Sequence, residues 1–177
     1  MLKPFLGLLF VAAVATFGDW FWYEMGVRHR MTAGALHGAV LLGAVGLVLG
    51  WVSGRIVPGL LAGIAAGLAG AMAYYGMAAI GGRRFSLGAM VASWAAVWLM
   101  LAVLEGRWLR RSRPWSEIFA RGLIAAALGG LAFYLMLDVL WGHDSEEDKN
   151  YLMQYVAWLV AWAPGVLALT VSSKSKS

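Results

Sequence analysis

The chain has 177 residues, 62% of them hydrophobic and only 13% charged, with a mean hydropathy of +0.73, which excludes a water-soluble domain of ordinary composition. The net charge of +5 does not point to nucleic acid, because the basic residues sit in short loops between apolar stretches and form no continuous polar face. There is no cysteine, so disulfides, thiol redox chemistry and cysteine ligands are ruled out.

A membrane-spanning helix needs about 20 mostly apolar residues. Polar interruptions cut this chain into six such pieces, at 2–24, 31–53, 57–80, 87–106, 118–141 and 151–171. The expectation is an all-α integral membrane protein: a six-helix transmembrane bundle in a single domain over 1–171, arranged as three antiparallel helical hairpins, with a short polar tail at 172–177.

The first span starts at Lys3 and Pro4 and carries Asp19 inside its far end. Its Ala13-Val14-Ala15 has the small-x-small pattern of a signal-peptide cleavage site. The basic region is a single lysine, however, and the apolar run continues through Phe17 to Tyr23, which favours a retained span; cleavage would leave five spans and put Thr16 outside. Spans two and three are separated by a turn holding Arg55 and so form a hairpin. Gly46, Gly50 and Gly54 repeat every four residues on one side of that turn, and Gly59, Gly63 and Gly67 on the other. At 3.6 residues per turn this clears a groove along each helix, and close backbone contact is predicted there.

Span four follows Arg83 and Arg84 and carries Trp94 and Trp98 one turn apart. Beyond it lies the most basic loop, where Glu105 and Arg107 are expected to form a local surface pair of little energetic consequence. Span five has Asp138 near its far end, the acidic loop 143–150 reads as solvated, and span six contains Pro164. An internal echo links the later spans. AGAMAYYGM at 69–77 matches LGGLAFYLM at 128–136 with a constant offset of 59, and each is followed by a tryptophan pair four residues apart, Trp94 with Trp98 and Trp158 with Trp162. Spans three and four would then repeat as five and six, as in repeat-built transporter folds.

Orientation follows from lysine and arginine. With six spans, one side holds Lys3, Arg55, Arg107, Arg110, Arg111, Arg113, Arg121, Lys174 and Lys176, nine in all, against five on the other, Arg28, Arg30, Arg83, Arg84 and Lys149. Both termini are therefore expected in the cytoplasm, in an inner or plasma membrane.

Ionisable residues gather on the opposite, extracytoplasmic side, above all in the stretch TFGDWFWYEMGVRHRMTAGALH at 16–37. An ionised carboxylate in hydrocarbon costs roughly 2.5–3.5 kcal/mol on insertion scales, so Asp19 needs a partner or a proton. His37 lies at a similar depth on the next span. Asp19, Trp22 and Tyr23 share one helical face, and Trp20 and Glu24 another; these aromatics also suit the interfacial belt. The expected ligand- or ion-binding set is Asp19, Trp22, Tyr23, Glu24, His37 and Asp138. Asp19 is the primary group, His37 its partner, Asp138 a second acid, and Trp22 and Tyr23 the walls. Asp19, His29, His37 and His143 are weak candidates for metal ligands by residue type, but no HExxH or comparable spacing supports them. No cofactor is expected. No phosphate loop, dinucleotide fingerprint or nucleophile elbow is present, and no catalytic residue is assigned. The sequence thus points to a membrane protein that binds or translocates a small solute or ion near its extracytoplasmic face. A metal-dependent membrane enzyme using the same residues and an accessory subunit of a membrane complex stand as alternatives. Expected partners are the lipid bilayer and the solute, with a homo-oligomer or partner membrane subunits left open.

Overall fold

With no water in the bilayer core, a spanning segment has to satisfy its backbone N–H and C=O groups internally, and for a single apolar run that means an α-helix. Six runs give six α-helices among the described residues of the computed structural model: α1 (Leu2–Glu24), α2 (Arg30–Ser53), α3 (Ile56–Gly81), α4 (Ser86–Leu104), α5 (Trp115–Trp141) and α6 (Tyr151–Thr170). The structure describes residues 2–24, 30–81, 86–109, 113–141 and 150–170, with backbone alone at 22–23, 30, 80–81, 86–88 and 137–141. Each helix is long and apolar enough to cross a membrane, and the chain is a polytopic membrane protein. Large apolar side chains such as Leu36, Leu61, Met72, Leu123 and Leu152 point outward, where lipid tails rather than water meet them.

Consecutive helices pack against each other in chain order, and α6 closes the set by packing on α1. The tightest joint is the α2–α3 hairpin. A side chain on Gly46 would run into the backbone of Gly59 and Gly63, one on Gly63 into Leu42 and Gly46, and one on Gly67 into Gly38. The glycine groove read from the sequence is thus a backbone-to-backbone seam, as small residues permit between membrane helices. Gly54 has a different task. Its φ of +74° places it in the left-handed region that ends a helix. Its N–H donates to Trp51 O, and the Arg55 N–H donates to Gly50 O at 2.6 Å, the two bonds that close a helix C-terminus around glycine. At the start of α6, Asn150 Oδ1 accepts from the N–H groups of Leu152 and Met153, each at 3.1 Å, a side-chain cap of the usual kind.

At the end of the bundle that holds the α2–α3 turn, α4 runs on past its expected end into a π-helical turn, Glu105–Leu109. The expected surface pair of Glu105 with Arg107 does not form. Residues two apart on a helix face different ways: Arg107 turns outward over the Trp115 ring, 4.9 Å from its centroid, and Glu105 turns inward, only 2% exposed. Its partner is Arg113, 8% exposed, at 3.3 Å. Glu117 extends the chain of charges, 3.8 Å from Arg113 and 2.8 Å from Arg121. Arg121 also donates to Ala168 O on α6 at 3.1 Å, and Arg55 donates to Trp108 O at 2.6 Å. These bonds tie α5 to α6, and the α2–α3 turn to the π-helical turn.

Two measurements check this description. Gly46→Val is expected to destabilise the protein by about 2–3 kcal/mol or to block folding, since backbone cannot retreat from an added side chain. Gly76→Ala, in a helix with nothing within 4 Å of the added carbon, is expected to be neutral or stabilising by up to about 1 kcal/mol. Glu105→Ala, which removes the closer of the two carboxylates beside buried Arg113, is expected to cost roughly 3 kcal/mol, against less than about 1 kcal/mol for the exposed Arg107→Ala. Thermal unfolding in mild detergent reads both comparisons.

Candidate functional site

Asp19 sits five residues before the end of α1 at Glu24, about 7.5 Å inside the helix at 1.5 Å per residue. His37 and Trp158 each lie seven residues after the start of their helices, at Arg30 and Tyr151, about 10.5 Å in. The three therefore arrive at similar depth on α1, α2 and α6, and the ring closure brings them together. The Trp158 indole N–H donates to Asp19 Oδ2 at 2.7 Å, a short bond to an acceptor that carries charge when ionised. His37 Nε2 stands 4.0 Å from Asp19 Oδ1, beyond hydrogen-bond distance between those two atoms and at the limit of ion-pair reach for a protonated imidazole. Glycines make this approach possible. A carbon on Gly18 would come within 3.0 Å of His37 Cε1, and a side chain on Gly34 would collide with the Tyr75 phenol.

These residues border a cavity of about 470 Å³ to which every helix contributes: Asp19 from α1, His37 from α2, Tyr74 from α3, Trp94 from α4, Phe133 from α5 and Trp158 from α6. Along α2 it extends from Gly34 to Leu42, eight residues or about 12 Å. Its deep end is apolar, formed by Leu42, Val97 and Trp162. The volume falls in the range of about 300–1,000 Å³ typical of small-molecule sites.

The wall from α4, α5 and α6 is aromatic and stacked. Trp94 lies on Phe133 at 4.3 Å between centroids with an interplanar angle of 15°, and 4.7 Å from Trp162. Trp158 and Trp162 follow each other at 6.1 Å. Behind them Trp98, fully buried, is seated between α5 and α6, because Gly129 and Gly165 leave room for its ring. On the other side Ser93 Oγ donates to Gly70 O at 2.7 Å, joining α4 to α3. The indole N–H groups of Trp94 and Trp162 have no acceptor among the described residues, and both residues line the cavity. Among the described residues that line it, Asp19 is the one carboxylate and His37 the one imidazole, and none is a lysine or arginine.

Of the expected site residues, Asp19 and His37 meet. Glu24 is exposed at the end of α1 and does not line the cavity; Trp20, on the same helical face, is also turned outward. The side chains of Trp22, Tyr23 and Asp138, and the whole of His29 and His143, lie outside the described residues. Among the described residues no three histidine, cysteine, aspartate or glutamate side chains gather as metal ligands would. The sequence-based set missed the aromatic wall, although a signal for it was present. Tyr74 and Phe133 occupy equivalent places in the two echoing segments, and both line the cavity, as do Trp94, Trp158 and Trp162 from the two tryptophan pairs.

Fold and site together define a polytopic helical membrane protein with an aromatic-walled cavity and a carboxylate near one end of the bundle. Its identity stops at that class: no family model, no curated protein and no solved structure matches the chain.

Trp158→Phe keeps a ring in place and removes the donor to Asp19. It is expected to destabilise the protein by about 1.5–3 kcal/mol, the usual worth of a hydrogen bond to a charged group. Trp20→Phe on the outer face should shift the same melting curve by less than about 0.5 kcal/mol.

Proposed function

We propose that this protein binds a small solute in the cavity between its six helices and moves it across the bilayer. The observation that carries the reading is the cavity itself: a space of small-molecule size, lined from every helix, with Asp19 and His37 at the polar end and a stacked aromatic wall leading inward. A carboxylate within the span of a membrane helix is expensive to keep and is by default a functional group. A bundle whose only need was to pack would fill this space, since voids among apolar side chains forfeit contacts. The donors left over on Trp94 and Trp162 suit a solute that carries an oxygen or nitrogen acceptor.

On this reading the site faces the extracytoplasmic side of an inner or plasma membrane, with both termini in the cytoplasm. The lysine and arginine count of the loops supports that orientation. The charge chain Glu105–Arg113–Glu117–Arg121 then closes the cytoplasmic end.

A thermal-shift screen of the purified protein against a chemically broad panel of small solutes tests the proposal. A solute that binds is expected to raise the melting temperature, by the equivalent of about 2.7 kcal/mol at one hundred times its dissociation constant. The shift should disappear in Asp19→Asn, and the same variant, reconstituted in liposomes, should lose flux of that solute. A panel without any saturable shift sinks the reading. So does about one zinc, iron or manganese per chain by elemental analysis, lost in the Asp19→Asn, His37→Ala double variant, which would make the pair part of a metal centre.

A further inference from the structure

We propose that the end of the bundle that holds the α2–α3 turn binds the headgroup of one anionic phospholipid through Lys3, Arg55 and Arg107. This site is separate from the cavity and independent of the function proposed for it. Three contacts set the cations along one continuous arc. The Lys3 ammonium lies over the Trp51 ring, 5.8 Å from its centroid, which joins the start of α1 to the end of α2. Arg55, in the α2–α3 turn, donates to Trp108 O in the π-helical turn at 2.6 Å. Arg107, the preceding residue of that turn, lies over the Trp115 ring at the start of α5. Ring faces and a carbonyl oxygen hold a positive group in place without neutralising its charge.

Positive charge is in excess at this end. Of the nine acidic side chains, Asp19 and Glu24 lie toward the opposite end of α1, Asp138 toward that same end of α5, and four fall in the sequence between α5 and α6. A linker of eight residues, 142–149, spans about 27 Å at most and cannot cross a hydrocarbon core of about 30 Å and return. Glu105 and Glu117 remain, and both engage Arg113, with Arg121 on Glu117 as well. Lys3, Arg55 and Arg107 form no ion pair among the described residues. The stretches 110–112 and 171–177 add four basic side chains and no acidic one. One turn further into the bilayer the surface becomes apolar: Leu6 follows Lys3 and Phe119 follows Trp115, both exposed, about 4.5–6 Å deeper. A phosphate at the level of the cations and acyl chains at the level of Leu6 and Phe119 match this order. Lysine and arginine are the usual phosphate partners, and basic clusters between membrane helices take anionic headgroups. A water-soluble polyanion would use the charges and leave the apolar band beneath them unused.

Native mass spectrometry of the full chain in mild detergent tests the proposal with two lipids of the same acyl chains, dioleoylphosphatidylglycerol and dioleoylphosphatidylcholine. The anionic lipid is expected to bind saturably, at about one per chain, and roughly ten-fold or more tightly than the zwitterionic one. Inorganic phosphate in large excess should leave it bound. The double variant Lys3→Gln, Arg107→Gln removes two exposed charges and is expected to bring the two lipids to within about two-fold. A second double variant, Trp51→Leu with Trp115→Leu, keeps every charge and removes the rings that hold Lys3 and Arg107; it is expected to weaken the anionic lipid about three-fold or more. Should one variant fail to fold, the other decides, and should both fail, the stoichiometry and preference of the unaltered chain decide. Equal binding of the two lipids overturns the site. So does uptake of the anionic lipid without a plateau, or a preference unchanged in either folded variant, each the mark of a diffuse positive rim. Displacement by inorganic phosphate overturns the lipid and makes the arc a site for a free anion.

Discussion

Helices in lipid are not driven together by water, so they associate only as closely as their surfaces allow. The constraint on which the rest of this structure depends is the absence of side chains along the α2–α3 seam. Gly46, Gly59, Gly63 and Gly67 leave backbone facing backbone, and the turn between the helices is closed by Gly54 in a conformation few other residues adopt. The hairpin becomes a rigid pair, and its inner faces are fixed relative to one another. His37 and Gly38 on α2, and Gly67, Gly70 and Tyr74 on α3, are thereby presented to the interior at set positions.

The other half of the ring is spaced by the opposite device. Trp94, Trp98, Trp158 and Trp162 with Phe133 stack between α4, α5 and α6, and indole rings hold helices apart where glycines let them touch. Glycine appears in this half as a notch for a ring, at Gly129 and Gly165 beside Trp98, and not as a zipper. One side drawn tight and one side propped open leave a space between them. The cavity is the consequence of that asymmetry, and Asp19 reaches it because α6 returns to α1 and offers Trp158 as a donor.

How far the sequence foretold this depends on the range of the interaction. The number of helices and the glycine seam could be read directly, because span length is set by bilayer thickness and glycines four apart fall on one face of a helix. The meeting of Asp19 with His37 followed from counting depth along two neighbouring spans. The Glu105–Arg113 pair was out of reach, because it joins residues across a helix end and a loop, and the π-helical turn redirects Glu105 inward. The same holds for Trp158 at Asp19: their contact depends on which helices become neighbours, and apolar surfaces that all face lipid do not encode that order. The aromatic wall left an echo in the chain, and Tyr74 and Phe133, at equivalent places in its two segments, both line one cavity. Glu24 shares with Trp20 the helical face that Asp19 does not, and the structure turns both outward.

The bond between Trp158 and Asp19 spans 139 residues, which gives it a meaning in time as well as in space. At synthesis rates of roughly 5–20 residues per second, the first helix leaves the ribosome on the order of ten seconds before the sixth exists. During that interval its carboxylate is without the indole that receives it in the finished bundle. The nascent α1 has to carry a proton, lean on α2, or stay in the shelter of the insertion machinery until α6 arrives. A helix made much later, α6, thus completes the setting of α1, and quality control that surveys exposed polar groups in the bilayer has an unfinished bundle to recognise until then.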